Sequence, residues 1–407
     1  METKKDLAKK ITAKDEQVAV DVAKQMINDG DYELFQELVS LSEYLFPFVK
    51  ENVLKRLEKS VCKANFKNLY KFTNCYSPDY DKVFATAFKY FGENEDKEKM
   101  LEYIKNGSLA QKTYAARYFE LSKDIFAIRE LIANAFSENE YLADACAAAL
   151  GALNELKSYD IALAKLNSGD DFEALSGLNF FVSYAKNPPM DDIFNALKLS
   201  GMPENFAGKI VYLKPLTQLL QENFENALFV LDNILNGLGE ILPLSEIFNF
   251  ELFDALSYLS EINNPDHLSR ISVLLLRAKY KFEMFSENDE YTFDEDKNTK
   301  NEIEEINKFL NSLDKNFWNY LKQNVVQELS QDKNRIISAL NIIKDYNISF
   351  AVPQILETIY ENEDETILCV AFDVLKTLKG LSYINKEEAL SKFNNPNIKA
   401  IVESYYG

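Results

Sequence analysis

The stretch 111-QKTYAARYFELSKDIFAIRELIANAFSENEYLADACAAALGALNEL-156 decides the fold, because it reads as three short helices in succession. In the third, Leu142, Ala145, Cys146, Ala149 and Leu153 recur at steps of three and four, which lays one apolar stripe along a helix. The opposite side is nearly as apolar. A helix with a wide face of Ala and Leu has to be covered from more than one side, since small side chains let backbones approach closely. A stacked array of helices supplies that cover.

Outward from this stretch the pattern returns. Ala23, Leu54, Ala87, Ala116, Ala147 and Leu178 form a column with spacings of 31, 33, 29, 31 and 31 residues. One place earlier stand Val22, Val53, Thr86, Ala115, Cys146 and Gly177, all small or β-branched. Three places later stand Met26, Leu57, Tyr90, Phe119, Leu150 and Phe181, all large. Such a signature suits a helix whose middle touches a backbone and whose next turn fills a groove. Between these helices lie others: DYELFQELV, NFKNLYKF, KEKMLEYI, DIFAIRELI, YDIALAKL and DDIFNALKL, each opening at or near a residue that can cap or complement a helix start. The repeating unit is therefore a helix pair. Isolated helices of this length are marginal in water and need stacking to persist, so the sequence predicts an all-α protein built as an α-solenoid of antiparallel helix pairs.

Regular repeats occupy residues 1–187. From 188 to 285 several Pro and Gly residues blur the register, although apolar runs such as NALFVLDNIL keep the segment helical. SENDEYTFDEDKNTKNE, at 286–302, reads as an exposed acidic linker. Regular pairs resume over 303–407, where the opening stretch nearly superimposes on a second copy. Ile128, Leu131, Ile132 and Ala135 fall on Val352, Ile355, Leu356 and Ile359 at an offset of 224. Leu142, Ala145, Cys146, Ala149 and Leu153 fall on Ile367, Val370, Ala371, Val374 and Leu378 at 225.

These two copies, FAIRELIANAFSENEYLADACAAALGAL and FAVPQILETIYENEDETILCVAFDVLKTL, resemble HEAT-like repeats, particularly the short kind of about 30 residues first described in phycobilisome lyases. Pro353, Asn362, Glu363, Asp364, Ala145, Ala147 and Gly151 match the family pattern. Its Val-Arg pair is replaced by Leu142-Ala143 and Ile367-Leu368. The resemblance implies a HEAT/armadillo-like superhelix whose second helices line a concave side that grips a partner. It thereby implies the outward positions of 112–122, 142–153 and 367–378, among them Arg117, Glu120, Asp144, Asp373 and Lys376, as candidate contacts.

Chemistry is sparser than fold. The single His267 removes any mechanism that needs two histidines. No phosphate-cradling glycine motif and no nucleophile elbow occurs. Asp294 to Glu305 places oxygens at several positions of an EF-hand-like frame but has Thr299 where the frame needs Gly, so a solvated acidic linker is the reading. The net charge of −20 opposes nucleic acid and favours a basic protein or peptide partner. Cys62, Cys75, Cys146 and Cys369 lack metal or redox spacing, and no export signal or membrane-length apolar run is seen, which together point to a reduced, cytoplasmic chain. The expectation is a non-catalytic scaffold with no cofactor and no metal. A bilin-lyase-like, enzyme-assisting role is the alternative, and a DNA-glycosylase-like role would require a basic groove.

Overall fold

The computed structural model describes residues 2–236, 264–286, 303–304, 306–313 and 315–406. Among them every regular element is helical and no strand occurs. The expected acidic linker, except Ser286, and almost all of the calcium-like frame lie outside the described residues. The chain divides into two units, Met1–Met202 and Pro203–Gly407.

The first unit contains α1 (Lys4–Thr12), α2 (Glu16–Asp29), α3 (Tyr32–Ser42), α4 (Pro47–Ser60), α5 (Asp81–Phe91) and α6 (Asn94–Asn106). These are followed by α7 (Leu109–Ser122), α8 (Ile128–Asn134), α9 (Glu140–Leu153), α10 (Leu156–Leu166), α11 (Asp171–Tyr184) and α12 (Met190–Leu199). Packing runs from neighbour to neighbour. α2, α4, α5, α7, α9 and α11 each lie against the next, while α1 meets α3, α6 meets α8 and α10 meets α12. Helix starts repeat as strictly as helix interiors. Asp15, Ser108, Asn139 and Asp170 accept hydrogen bonds from the backbone N–H groups of Val18, Gln111, Leu142 and Glu173. Each such cap stabilises its helix by about 1 kcal/mol.

The apolar column needs one correction. Tyr90 is 73% exposed, whereas Phe88 is 1% exposed and Ala85 is equally buried. The column therefore runs through Ala85 and Phe88, giving Ala23, Leu54, Ala85, Ala116, Ala147 and Leu178 at an unbroken 31-residue period. Ala87 is also buried, so the composition of α5 alone could not separate the two registers. NFKNLYKF also differs from the expected helix. Phe66–Lys71 is a 3-10 helix, because Phe66, Leu69 and Phe72 bury at a spacing of three, the period of that tighter helix. Phe72 stacks on Phe35 at 4.7 Å, and Tyr70 meets Phe88 at 4.6 Å. Aromatic area here replaces a helical turn as the filling between α3 and α5.

Two glycines mark where backbones touch. A Cβ on Gly151 would stand 2.2 Å from the Tyr184 carbonyl oxygen, and one on Gly177 would stand 2.6 Å from that of Ala162. Any larger residue would push α9 from α11, or α11 from α10.

The second unit contains α13 (Pro203–Leu213), α14 (Leu216–Glu222), α15 (Phe224–Asn236), α16 (Pro265–Ser286) and α17 (Lys315–Gln327). α18 (Lys333–Asp345), α19 (Val352–Glu361), α20 (Glu365–Thr377), α21 (Lys386–Lys392) and α22 (Pro396–Tyr406) follow. Here α15 packs on α16, α16 on α17, α17 on α18, α18 on α20 and α20 on α22. The duplicated stretch keeps its local architecture. The 3-10 turns Ile125–Ala127 and Ser349–Ala351 precede α8 and α19 at the offset of 224, and the caps Asn139 and Asp364 open α9 and α20 at 225. Trp318 is half-buried, with its ring 5.2 Å from that of Tyr346.

Candidate functional site

Arg117 and Glu120 lie three apart on α7, so they share a face, and the Arg117 guanidinium donates to Glu120 Oε2 at 3.0 Å. Lys82 of α5 reaches the other oxygen of Glu120 at 3.5 Å. Asp144 of α9 accepts a hydrogen bond from Ser183 Oγ of α11 at 2.9 Å. Three of the five residues singled out from sequence thus fall in one polar row that crosses α5, α7, α9 and α11. The other two lie in the second unit and are not joined to each other. Asp373 turns toward α18, where Lys344 Nζ donates to it at 2.5 Å. Lys376 instead lies 5.8 Å from the Tyr405 ring of α22. These pairs are partly solvated, and each contributes at most about 1 kcal/mol.

Beneath the polar row of the first unit lies a group that residue patterns did not reveal. Asp81, in the first turn of α5, is 1% exposed, and neither carboxylate oxygen has a hydrogen-bond partner. Tyr76 Oη, Ser77 Oγ and Tyr114 Oη are buried without partners as well. The Tyr114 hydroxyl lies close enough to favour the charged carboxylate, but the two groups do not attain full hydrogen-bonding geometry. Burial dominates and pushes the Asp81 carboxyl up to about 8, against the pull of Tyr114 and the Arg117 charge. The same desolvation raises the Tyr76 and Tyr114 phenols and the Cys75 thiol.

This carries a pH prediction. The folded state holds a proton on Asp81 up to about pH 8, whereas the unfolded chain releases it near the ordinary carboxyl value of 3.8. Asp81 therefore supports folding fully below about pH 4, and that contribution is lost as pH rises to about 8. The loss across the window is on the order of several kcal/mol. Urea midpoints of the parent chain should fall between pH 4.5 and 8 relative to those of Asp81→Asn; parallel curves would contradict the assignment.

In the second unit, α15, α16, α17 and α18 enclose a cleft of about 350 Å³. Arg277, 6% exposed, donates to Asp232 Oδ1 at 2.7 Å and lies 3.6 Å from Glu328. Arg335 donates to the other oxygen of Asp232, so one buried carboxylate joins two guanidiniums. Arg270 grips Glu225 through two bonds of 2.7 and 2.9 Å. Each guanidinium in the cleft already faces a carboxylate, so an incoming phosphate would have to displace Glu225 or Asp232. Both partners stood visible in the sequence as charges inside apolar runs, Asp232 in FVLDNIL and Arg277 in VLLLRAKY. Asp81 offered no such signal, since an acid in SPDYDK reads as an ordinary helix start.

No group of three or more His, Cys, Asp or Glu residues able to hold a metal ion occurs among the described residues, and no described helix is long and apolar enough to cross a membrane. No family model matches the chain, and no curated protein matches it. Among solved structures it is aligned with the crystal structure of an engineered protein at 14% identity, covering 100% of this chain and 98% of that one, with a TM-score of 0.23. A score that low supports no argument about fold or function.

Proposed function

We propose that each unit is a stretch of α-solenoid made of HEAT-like helix pairs, and that the chain is a non-catalytic adaptor. Its partner, a protein or peptide with a basic surface, lies along the face of α5, α7, α9 and α11. The observation that carries this reading is the polar row of Lys82, Arg117, Glu120, Asp144 and Ser183, drawn from four consecutive helices. A row of that kind offers charge and hydrogen bonding across a broad surface, as a protein interface requires. The net charge of −20 favours a basic partner over a polyanion.

The decisive comparison is between tagged parent chain and the double variant Glu120→Lys/Asp144→Lys, both purified from the native cell. The variant should melt within a few degrees of the parent yet lose its specific partner by at least about tenfold, as expected when two like charges are placed against a complementary surface. Equal recovery of every bound protein would overturn the assignment of this face. A bilin chromophore carried through purification would favour the enzyme-assisting alternative.

A further inference from the structure

We propose that the polar cluster of Tyr76, Ser77, Asp81 and Tyr114, rimmed by Tyr141, is a socket for the ammonium group of a lysine side chain from the partner. The inference rests on reading this face as a partner-binding surface, and it names the chemistry that the face selects.

The repeat containing α5 is built differently from its neighbours. Asp15, Ser108, Asn139 and Asp170 use their side chains to cap their helices. Ser77 occupies the same place in the 31-residue period, but there the backbone carbonyl takes the Tyr80 and Asp81 N–H groups at 3.1 and 2.9 Å. The Ser77 hydroxyl is left without a partner. Four residues on, where the period puts Lys50, Lys112, Ala143 and Ala174 in other helices, stands the buried Asp81. Five oxygen atoms, two from Asp81 and one each from Tyr76, Ser77 and Tyr114, are thus buried without a hydrogen bond of full geometry, and the Tyr76 and Tyr114 hydroxyls both act on the Asp81 carboxyl.

Such a set has no positive charge and more acceptor sites than its three hydroxyl donors can fill. The first turn of α5 favours an anion at Asp81 through the helix dipole, while burial removes the water that would otherwise solvate it. The chain's own nearby cations are turned elsewhere, because Lys82 and Arg117 both reach for Glu120. An ammonium group supplies three N–H donors, no acceptor and a compact charge. As it enters, the Asp81 proton passes to solvent, and the ammonium pairs with the resulting carboxylate and the hydroxyl oxygens without leaving an acceptor of its own unmatched.

The rim favours the same guest. The Tyr76 and Tyr141 rings lie 5.1 Å apart at 55°, and their faces attract a cation by the ring quadrupole. Tyr141 is 52% exposed and Tyr76 half-buried, so the approach lies beside these rings. Asp144 acts on Tyr76 electrostatically and Asp79 acts on Asp81, adding negative potential that opposes the positive charge of Arg117.

The test uses n-butylammonium as the probe, added to full-length protein at pH 7.5 and constant ionic strength, with the Asp81 carboxyl carbon followed by NMR. A saturable shift is expected with n-butylammonium and not with n-butanol, tetramethylammonium or sodium. Asp81→Asn, which keeps the side-chain shape, and Tyr114→Phe should each weaken binding at least about tenfold while retaining a cooperative melt. No saturable response in the folded parent, a response that survives Asp81→Asn, or an equal response to sodium would overturn the socket. So would an Arg117→Gln variant that alone raises the Asp81 titration midpoint by more than one pH unit, since Arg117 would then already be the guest. A partner retained by Asp81→Asn but lost by Glu120→Lys/Asp144→Lys would refute the socket and leave the adaptor reading intact. Butylammonium binding in a chain that captures no partner through α7 and α9 would do the reverse.

Discussion

Ala147→Asp is expected to lower the stability of the first unit by about 4 kcal/mol, a large share of the 5–15 kcal/mol by which domains are ordinarily stable. Ala147 is 1% exposed in the middle of α9, and α9 packs against both α7 and α11. The neighbouring Ala145, Cys146 and Ala149 are fully buried. A carboxylate placed there loses its water and has to protonate or force the helices apart. Ala147→Ser, which brings a hydroxyl able to bond back to its own helix, should cost only about 1 kcal/mol. Urea unfolding of both variants measures the difference, and an unchanged midpoint for Ala147→Asp would show that the buried column does not run through this residue.

That column also shows how far the sequence could be read. At Ala116 and Ala147 the 31-residue period fell on buried positions. α5 has Ala85 and Ala87, both buried, and only the positions of Phe88 and Tyr90 separate the registers. A one-dimensional pattern could not choose between them, because either frame lays an apolar stripe on the helix. The duplicated stretch was legible for the opposite reason: its offsets of 224 and 225 are carried by several residues at once, and the 3-10 turns and caps fall on the same offsets.

Site residues divide in the same way. Arg117, Glu120 and Asp144 are candidates because the HEAT-like resemblance implies the outward positions of these helices, and the structure gives them partners on neighbouring turns and helices. Asp81 becomes unusual only when α7 brings Tyr114 over it, and the bridge from Asp232 to Arg277 and Arg335 joins residues 45 and 103 places apart. Tertiary placement decides which groups these charges meet; apolar runs mark Asp232 and Arg277 as unusual but do not pair them.

Gly177→Val is the second large effect expected, about 4 kcal/mol of destabilisation, and Gly208→Ala is its internal control. At Gly177 a Cβ would meet three backbone atoms of α10: the Ala162 carbonyl oxygen at 2.6 Å, the Leu166 nitrogen at 2.8 Å and the Leu166 Cα at 3.2 Å. Backbone cannot rotate aside as a side chain can, so α10 and α11 must separate, and the cost exceeds the 1–3 kcal/mol typical of overpacked cores. Even Gly177→Ala should destabilise, because the clash outweighs the ~1 kcal/mol that Ala gains over Gly in a helix. At Gly208, inside α13, a Cβ would meet nothing within 4 Å. There the helix preference acts alone, and Gly208→Ala should stabilise the protein by about 0.5–1 kcal/mol. The two alanine variants make the same chemical change in the same kind of element, so opposite shifts in their unfolding midpoints can come only from the closeness of α10 to α11. Shifts of the same sign would mean that this pair does not touch through its backbone, and the small-residue place one step before the buried column would lose its physical reason.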